Sequence, residues 1–220
     1  MKKYVAIGDI HGCGKTLQKL LEKLKPYEDR TMVFMGDYID RGPNSKLAID
    51  LAIEMGQKQE CIYLRGNHEV MMIDAFKNNY AGHWTRNGGL QTMISLGIKN
   101  IQAEMPEPYN DFIYNSVYYY DTPDFFFIHG GIPPMITIED FIHSNEIESG
   151  LWERSHLHAS KVNWEKPVVF GHSPLEEPIL DEMIIGTDTG CVFHNMPKLG
   201  KLSAVLLPER KIIQQPYSEY

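Results

Sequence analysis

Cysteine is scarce in this chain: three residues in 220, Cys13, Cys61 and Cys191, odd in number and never in a Cys-x-x-Cys pair. A disulfide framework and a structural zinc knot are thereby excluded, and a reducing cytoplasm is the expected compartment. No apolar run approaches the roughly 18 residues of a membrane span. The stretch after Lys2 and Lys3 is broken at once by Asp9 and His11, so a signal peptide is not expected either. Positive charge is in deficit, with 21 Lys and Arg against 29 Asp and Glu and a net charge of −8. Such a chain does not coat nucleic acid or an anionic membrane through its overall field. Any anion it binds must therefore meet a local positive site. Internal repeats, linkers and composition shifts are also missing, which predicts one domain over 1–220.

What is present in the first half is an alternation of strand and helix. Tyr4 to Ile7 is a short apolar run, and Leu17, Leu20, Leu21 and Leu24 then recur at helical spacing until Pro26. Thr31 to Met35 predicts a second strand. Leu47, Ala48, Leu51, Ala52 and Met55 stripe a helix expected to begin near Asn44 or Ser45 and to end at Gly56. Cys61 to Leu64 is a third strand. Strands about 30 residues apart with a helix between them predict a parallel sheet covered on both faces.

The second half has a different rhythm. Val117 to Tyr120 and Phe125 to Ile128 flank Asp121-Thr122-Pro123-Asp124, the composition of a hairpin turn. Val168 to Phe170, Met183 to Ile185 and Leu202 to Leu207 are further strands, with a helical stretch near 145–151. The fold class is α/β, with a parallel first sheet and a more antiparallel second half. The runs Tyr118-Tyr119-Tyr120 and Phe125-Phe126-Phe127 fit strand core better than base-stacking platforms.

Polar residues gather where the strands end, in Gly8-Asp9-Ile10-His11-Gly12, Gly36-Asp37-Tyr38-Ile39-Asp40-Arg41-Gly42, Arg65-Gly66-Asn67-His68-Glu69, His129-Gly130-Gly131 and Gly171-His172. The carboxyl ends of strands in an open α/β sheet form one rim, where ligands bind. Asp9, His11, Asp37, Asn67, His129 and His172 offer oxygen and imidazole donors without sulfur, a set suited to Mn, Fe or Zn rather than Ca or Mg. Six donors exceed the need of one open catalytic metal and match two divalent ions, Mn²⁺ foremost, that share Asp37. Asp9 and His11 would complete one ion; Asn67, His129 and His172 would complete the other. Two such ions outweigh two aspartates, and Arg41, Arg65 and Arg154 add to the positive site that the net charge requires.

These five motifs, in this order, resemble the phosphoprotein phosphatase family of binuclear metallophosphoesterases, in its bacterial and phage serine/threonine branch. The resemblance covers nearly the whole chain and extends to Trp84-Thr85-Arg86-Asn87-Gly88-Gly89, Trp152-Glu153-Arg154, Gly171-His172-Ser173-Pro174 and Asp188-Thr189-Gly190-Cys191-Val192. It implies a four-layer α-β-β-α sandwich of calcineurin-like type and phosphate ester hydrolysis by a metal-bridging hydroxide. It also implies that His68 is the general acid, oriented and kept protonated by Asp40, with Arg41, Arg154 and Arg65 on the phosphate oxygens. Two departures stand out. The Ser-Ala-Pro-Asn-Tyr loop of the eukaryotic catalytic domains is absent. Residues 193–200 interrupt the bacterial pattern after Val192, which puts the local rim in question but not the metal site. Pro174 replaces the second histidine of a Gly-His-x-His pair, which argues against a nuclease.

Blander readings apply elsewhere. Gly12-Cys13-Gly14-Lys15-Thr16 lacks the first glycine of a P-loop, because position 9 is Asp, so Lys15-Thr16 starts a helix instead. His83, His143 and His194 read as loop or surface residues, His156 and His158 as candidates for the mouth of the site, and Cys191 as structural. The expected substrate is a phosphorylated protein or a small phosphate ester, and a phosphoserine or phosphothreonine phosphatase is the first reading. Symmetric cleavage of bis(5'-nucleosyl) tetraphosphates is the second, and a non-catalytic metal-bound scaffold the third. No nucleic acid or membrane partner is expected, and the oligomeric state is not legible.

Overall fold

A computed structural model describes residues 1–102 and 105–220. Two five-stranded sheets lie at its centre. The first has the order β10-β9-β1-β2-β3, from β1 (Tyr4–Ile7), β2 (Thr31–Phe34), β3 (Cys61–Tyr63), β9 (Lys201–Leu207) and β10 (Lys211–Pro216). The second has the order β4-β5-β6-β8-β7, from β4 (Tyr119–Asp121), β5 (Phe126–Ile128), β6 (Val168–Phe170), β7 (Ile179–Leu180) and β8 (Ile184–Gly186).

Period-two alternation of apolar side chains explains the layering. In β1, Tyr4 and Ala6 join the core between the sheets, while Val5 and Ile7 join the core beneath the helices. Phe127 faces the first sheet, and Phe126 and Ile128 face outward. Both faces are dry, so these strands read as continuous apolar runs. Helices α1 (Gly14–Leu24), α2 (Ser45–Lys58) and α3 (Asn67–Lys77) cover the first sheet, together with α4 (Gly82–Trp84), α5 (Leu90–Leu96) and α6 (Tyr109–Asn115). The outer cover of the second sheet is thinner: α7 (Ile138–His143) and two 3-10 turns at Ile147–Leu151 and Ser155–His158. The four-layer α-β-β-α arrangement expected for the calcineurin-like type is present.

Three expectations are corrected. Both sheets are mixed: β9 returns antiparallel to β1, whereas β5, β6 and β8 of the second sheet run parallel to one another. The helix striped by Leu47 to Met55 runs through Gly56 to Lys58. Gly56 makes room for Tyr63, whose hydroxyl donates to Ala52 O at 2.8 Å, and a β-carbon there would strike it. The helical stretch near 145–151 is a 3-10 turn rather than an α-helix. Among the described residues, no helix is long and apolar enough to cross a membrane.

Candidate active site

β1, β2, β5 and β6 end on the same side of the two sheets, and their following turns enclose a cleft of about 260 Å³. His11, Asp37, Arg41, Asn67, His68, Arg154 and His172 line it, with Asn87, Trp152, Pro174, Asp188 and Phe193. His11, Asp37, Asp40, Arg41 and His172 all have positive φ, between 45° and 73°. Non-glycine residues adopt that conformation at a cost, and it turns the side chains off the strand axes toward a common point.

Asp37 is the hub. One carboxylate oxygen lies 3.4 Å from His11 Nε2, and the other lies 3.5 Å from His129 Nε2. Donor atoms of Asp37, His129 and His172 cluster within 4.8 Å of one another, as do those of His11, Asp37 and His68. All six expected ligands are buried. Asn67 Oδ1 lies 3.0 Å from His129 Nε2 and 3.1 Å from His172 Nδ1. Asp9 takes a different position from the other five: both its oxygens accept the His172 backbone N–H at 3.0 Å, tying the β1 turn to the β6 turn.

The donor set fits divalent cations on its own chemistry. His11 Nδ1–H donates to Ile39 O at 2.9 Å and His129 Nδ1–H to Met35 O at 2.7 Å, so both Nε2 atoms present lone pairs. The His129 lone pair faces carboxylate and amide oxygens of Asp37 and Asn67, and acceptors converging on acceptors repel unless a cation joins them. His172 Nε2 is buried without any hydrogen-bond partner. Burial holds His11 and His129 below the ordinary histidine range and His172 down to about 2, so the rings stay neutral and able to ligate. Burial opposes ionisation of Asp37 as well, but the histidines around it, among them His68 with its raised pKa, outweigh that and lower the Asp37 pKa.

His68 differs from the expected ligands in its bonding. Its Nδ1–H donates to Asp40 Oδ2 at 2.6 Å, which leaves Nε2 toward the cleft, 4.0 Å from Asp37. Burial lowers its pKa, but the Asp37 and Asp40 carboxylates overcome this and raise it. Asp40 is fully buried and receives Trp84 Nε1–H at 2.9 Å and Thr92 Oγ1–H at 2.6 Å. Arg41 Nη1 lies 2.5 Å from His11 Nε2, and its guanidinium stacks over the Phe193 ring at 5.4 Å. Arg154 also lines the cleft, where its Nε–H donates to Ser173 Oγ at 3.2 Å beside His172.

Arg65 does not reach the cleft. Its Nε–H donates to Ser116 Oγ and its Nη2 to the carbonyls of Ile113, Tyr114 and Ser116, which closes the C-terminus of α6 and holds the guanidinium outside the cleft lining. His156 and His158 are not at the mouth: His156 is buried against Phe170 and Trp164, and His158 is exposed away from the lining. The unusual segment after Val192 contributes Phe193 to the cleft, while His194 stacks on Tyr217 at 3.8 Å.

Several functional neighbours escape a reading of strand ends. Glu69 accepts the backbone N–H groups of Asp37, Tyr38 and Gly66 at 2.8–3.0 Å and so shapes the turn that presents Asp37. Asp188 lies buried in the cleft wall, with its pKa pushed up to about 7 by burial. Asp188 and Glu69 sit inside quoted motifs, which was the available signal. Thr92 carries none.

Similarity to known proteins agrees with this geometry. The calcineurin-like phosphoesterase pattern matches residues 2–199. The chain belongs to that family. This metallophosphoesterase is a phosphoric ester hydrolase, and the family uses divalent metals. A protein of Oceanobacillus iheyensis named bis(5'-nucleosyl)-tetraphosphatase PrpE [asymmetrical] is 28% identical, covering 96% of this chain and 92% of its own length. A solved structure provisionally named a diadenosine tetraphosphatase superposes with a TM-score of 0.70 at 20% identity, over 100% of this chain and 95% of its own. A protein serine/threonine phosphatase from Saccharomyces cerevisiae superposes with a TM-score of 0.64 at 15% identity, over 100% of this chain and 81% of its own. Likeness this distant speaks for the fold alone. The relatives matched by sequence are named for nucleotide polyphosphates, so the serine/threonine branch expected from the motifs is not the branch they indicate.

Proposed function

We propose that this metallophosphoesterase hydrolyses dinucleoside polyphosphates by asymmetric cleavage, as one domain over 1–220 acting in the cytoplasm. The observation that carries this reading is that two arginines line the cleft beside different donors, Arg41 against His11 and Arg154 next to Ser173 and His172. Two cations beside different donors suit a chain of phosphates, held on both sides of the phosphorus under attack. The tetraphosphatase names of the relatives support the same class.

In this reading Asp9, His11 and Asp37 would hold one divalent ion, and Asp37, Asn67, His129 and His172 would hold the other, with Mn²⁺ favoured. Bound there, the ions supply Lewis-acid charge and lower the pKa of the water that attacks phosphorus. Arg41 and Arg154 fix the phosphate oxygens through charge-assisted hydrogen bonds. His68 gives its Nε2 proton to the leaving oxygen, while Asp40 holds the ring by Nδ1–H and stabilises its charged form. Trp84 and Thr92 keep the Asp40 carboxylate in plane for that task.

A phosphoserine or phosphothreonine phosphatase is the second reading, favoured by the Gly171-His172-Ser173-Pro174 segment and by the same acid and arginines. Turnover of diadenosine tetraphosphate and a phosphoserine peptide by one Mn²⁺-loaded sample separates the two. ATP plus AMP as products supports the proposal, and ADP alone indicates symmetric cleavage. Turnover of the peptide only moves the assignment to the second reading. Turnover of neither leaves a metal-bound scaffold.

A further inference from the structure

Of the three tryptophans, Trp84 and Trp164 are buried, but Trp152 is 48% exposed at the mouth of the cleft. An indole left half in water forfeits a large part of its burial free energy, so its position calls for a partner. The residue is not loosely held. Leu151 before it is buried, Trp152 N donates to Ser149 O at 3.0 Å, and Gly150 O accepts from Gly130 N and Gly131 N at 3.0 and 2.9 Å. The turn that carries Trp152 is thus fastened to the end of β5, directly after His129. The indole meets His172 edge-on, with ring centroids 5.9 Å apart and planes at 85°. Arg154, two residues on, lines the same rim.

Phe193 is the other aromatic of the cleft, but the Arg41 guanidinium already lies against its face. It serves as a seat for Arg41. Trp152 has no such cation on it. We propose that Trp152 is the platform on which a nucleobase of the substrate stacks, with Arg154 beside it taking the adjoining phosphate. This rests on the dinucleoside polyphosphate reading and makes Trp152 the residue that distinguishes a nucleotide from a plain polyphosphate. A rigid aromatic face is the feature that base stacking uses, and it accepts any base because every base has a π-face.

The test compares Trp152→Ala and Trp152→Phe with the wild type, all loaded with Mn²⁺. KM is measured for diadenosine tetraphosphate, and inorganic tripolyphosphate, which has no base, is measured as a competitor. Trp152→Ala is expected to raise the KM about tenfold, the scale of one lost base stack, with a much smaller rise in the tripolyphosphate Ki. Trp152→Phe keeps an aromatic face and should recover most of the affinity. Quenching of indole fluorescence by ADP in the wild type, and its loss in Trp152→Phe, gives a second readout independent of turnover. Parallel rises in KM and Ki would mean that Trp152 merely supports His172, and would overturn the platform while leaving the dinucleotide reading intact. An unchanged KM in Trp152→Ala does the same. Diadenosine tetraphosphate that is neither cleaved nor competitive overturns both.

Discussion

The turns after β1, β2 and β3 and those after β5 and β6 contribute to one cleft but are built differently. On the first rim the functional residues are locked by partners from that same rim. Glu69 ties the Asp37 turn to the Gly66 turn, Ile10 and His11 donate to Asp37 O, and Thr92 and Trp84 hold Asp40. The second rim is anchored by the first. His129 donates to Met35 O, His172 N donates to Asp9, and both rings meet Asn67 Oδ1. Orientation therefore runs mainly from the first rim to the second, with Asp9, which accepts from His172 N, as the exception. Damage to the first rim should reach both metal positions, and damage to the second should stay local.

The sharpest way to break that asymmetry is at Asp37. Asp37→Asn should weaken both ions and cost more activity than the about 10–100-fold typical of outer-shell partners, whereas Asn67→Ala should mainly weaken one. Chelation should abolish activity, and Mn²⁺ should restore it better than Mg²⁺, because imidazoles are half of the six donors. Calorimetric titration with Mn²⁺ reads the stoichiometry. Identical loss in the two variants would remove the shared-ligand role from Asp37.

An effect confined to the first rim, and leaving both metal positions intact, is expected at His68. His68→Asn should lower kcat by about 10²–10⁴-fold on an ester with a poor leaving group, such as a phosphoserine peptide. On p-nitrophenyl phosphate, whose phenolate leaves almost unaided, the loss should be far less, with metal content unchanged. Asp40→Asn should follow more mildly. Equal losses on both substrates, where chemistry limits kcat, would take the general-acid role away from His68.

The smallest effect belongs to the second rim. His156 is fully buried beside Gly131 and Phe170, with neither ring nitrogen paired, and burial lowers its pKa to about 4. A histidine with a depressed folded pKa takes its proton more readily in the unfolded chain, whose pKa is about 6.5. Stability from this group is thus complete above about pH 6.5, falls as pH drops toward 4, and is level below that. At pH 5 the cost relative to pH 7.5 is about 2 kcal/mol. Urea unfolding of His156→Phe should show a shallower pH slope than the wild type; parallel slopes would show that the ring is not held neutral.

Much of this site was legible in the chain itself. A strand that ends in Gly-Asp-x-His or Gly-Asn-His declares both where the backbone turns and which donors the turn presents. Parallel strands then collect those turns at one rim, because their carboxyl ends point the same way. The six candidate donors could be named on that basis, whereas the roles of His68, Asp40 and the arginines were expected from the family resemblance. The four-layer fold followed from the family resemblance, and the apolar runs agree with it.

Only the tertiary structure decided the rest. Arg65 stands in a motif beside Asn67, yet its guanidinium is taken by carbonyls 48 to 51 residues away. Thr92 and Trp84 reach Asp40 across 52 and 44 residues, and Asp188 enters the cleft wall from the second sheet. Gly56 continues a helix that local propensity would end, because Tyr63 needs the space. Local order along a chain records turns, periodicity and donor type, since these act between near neighbours. Which groups meet across the cleft depends on how two sheets and their covers pack, and no short-range pattern carries that.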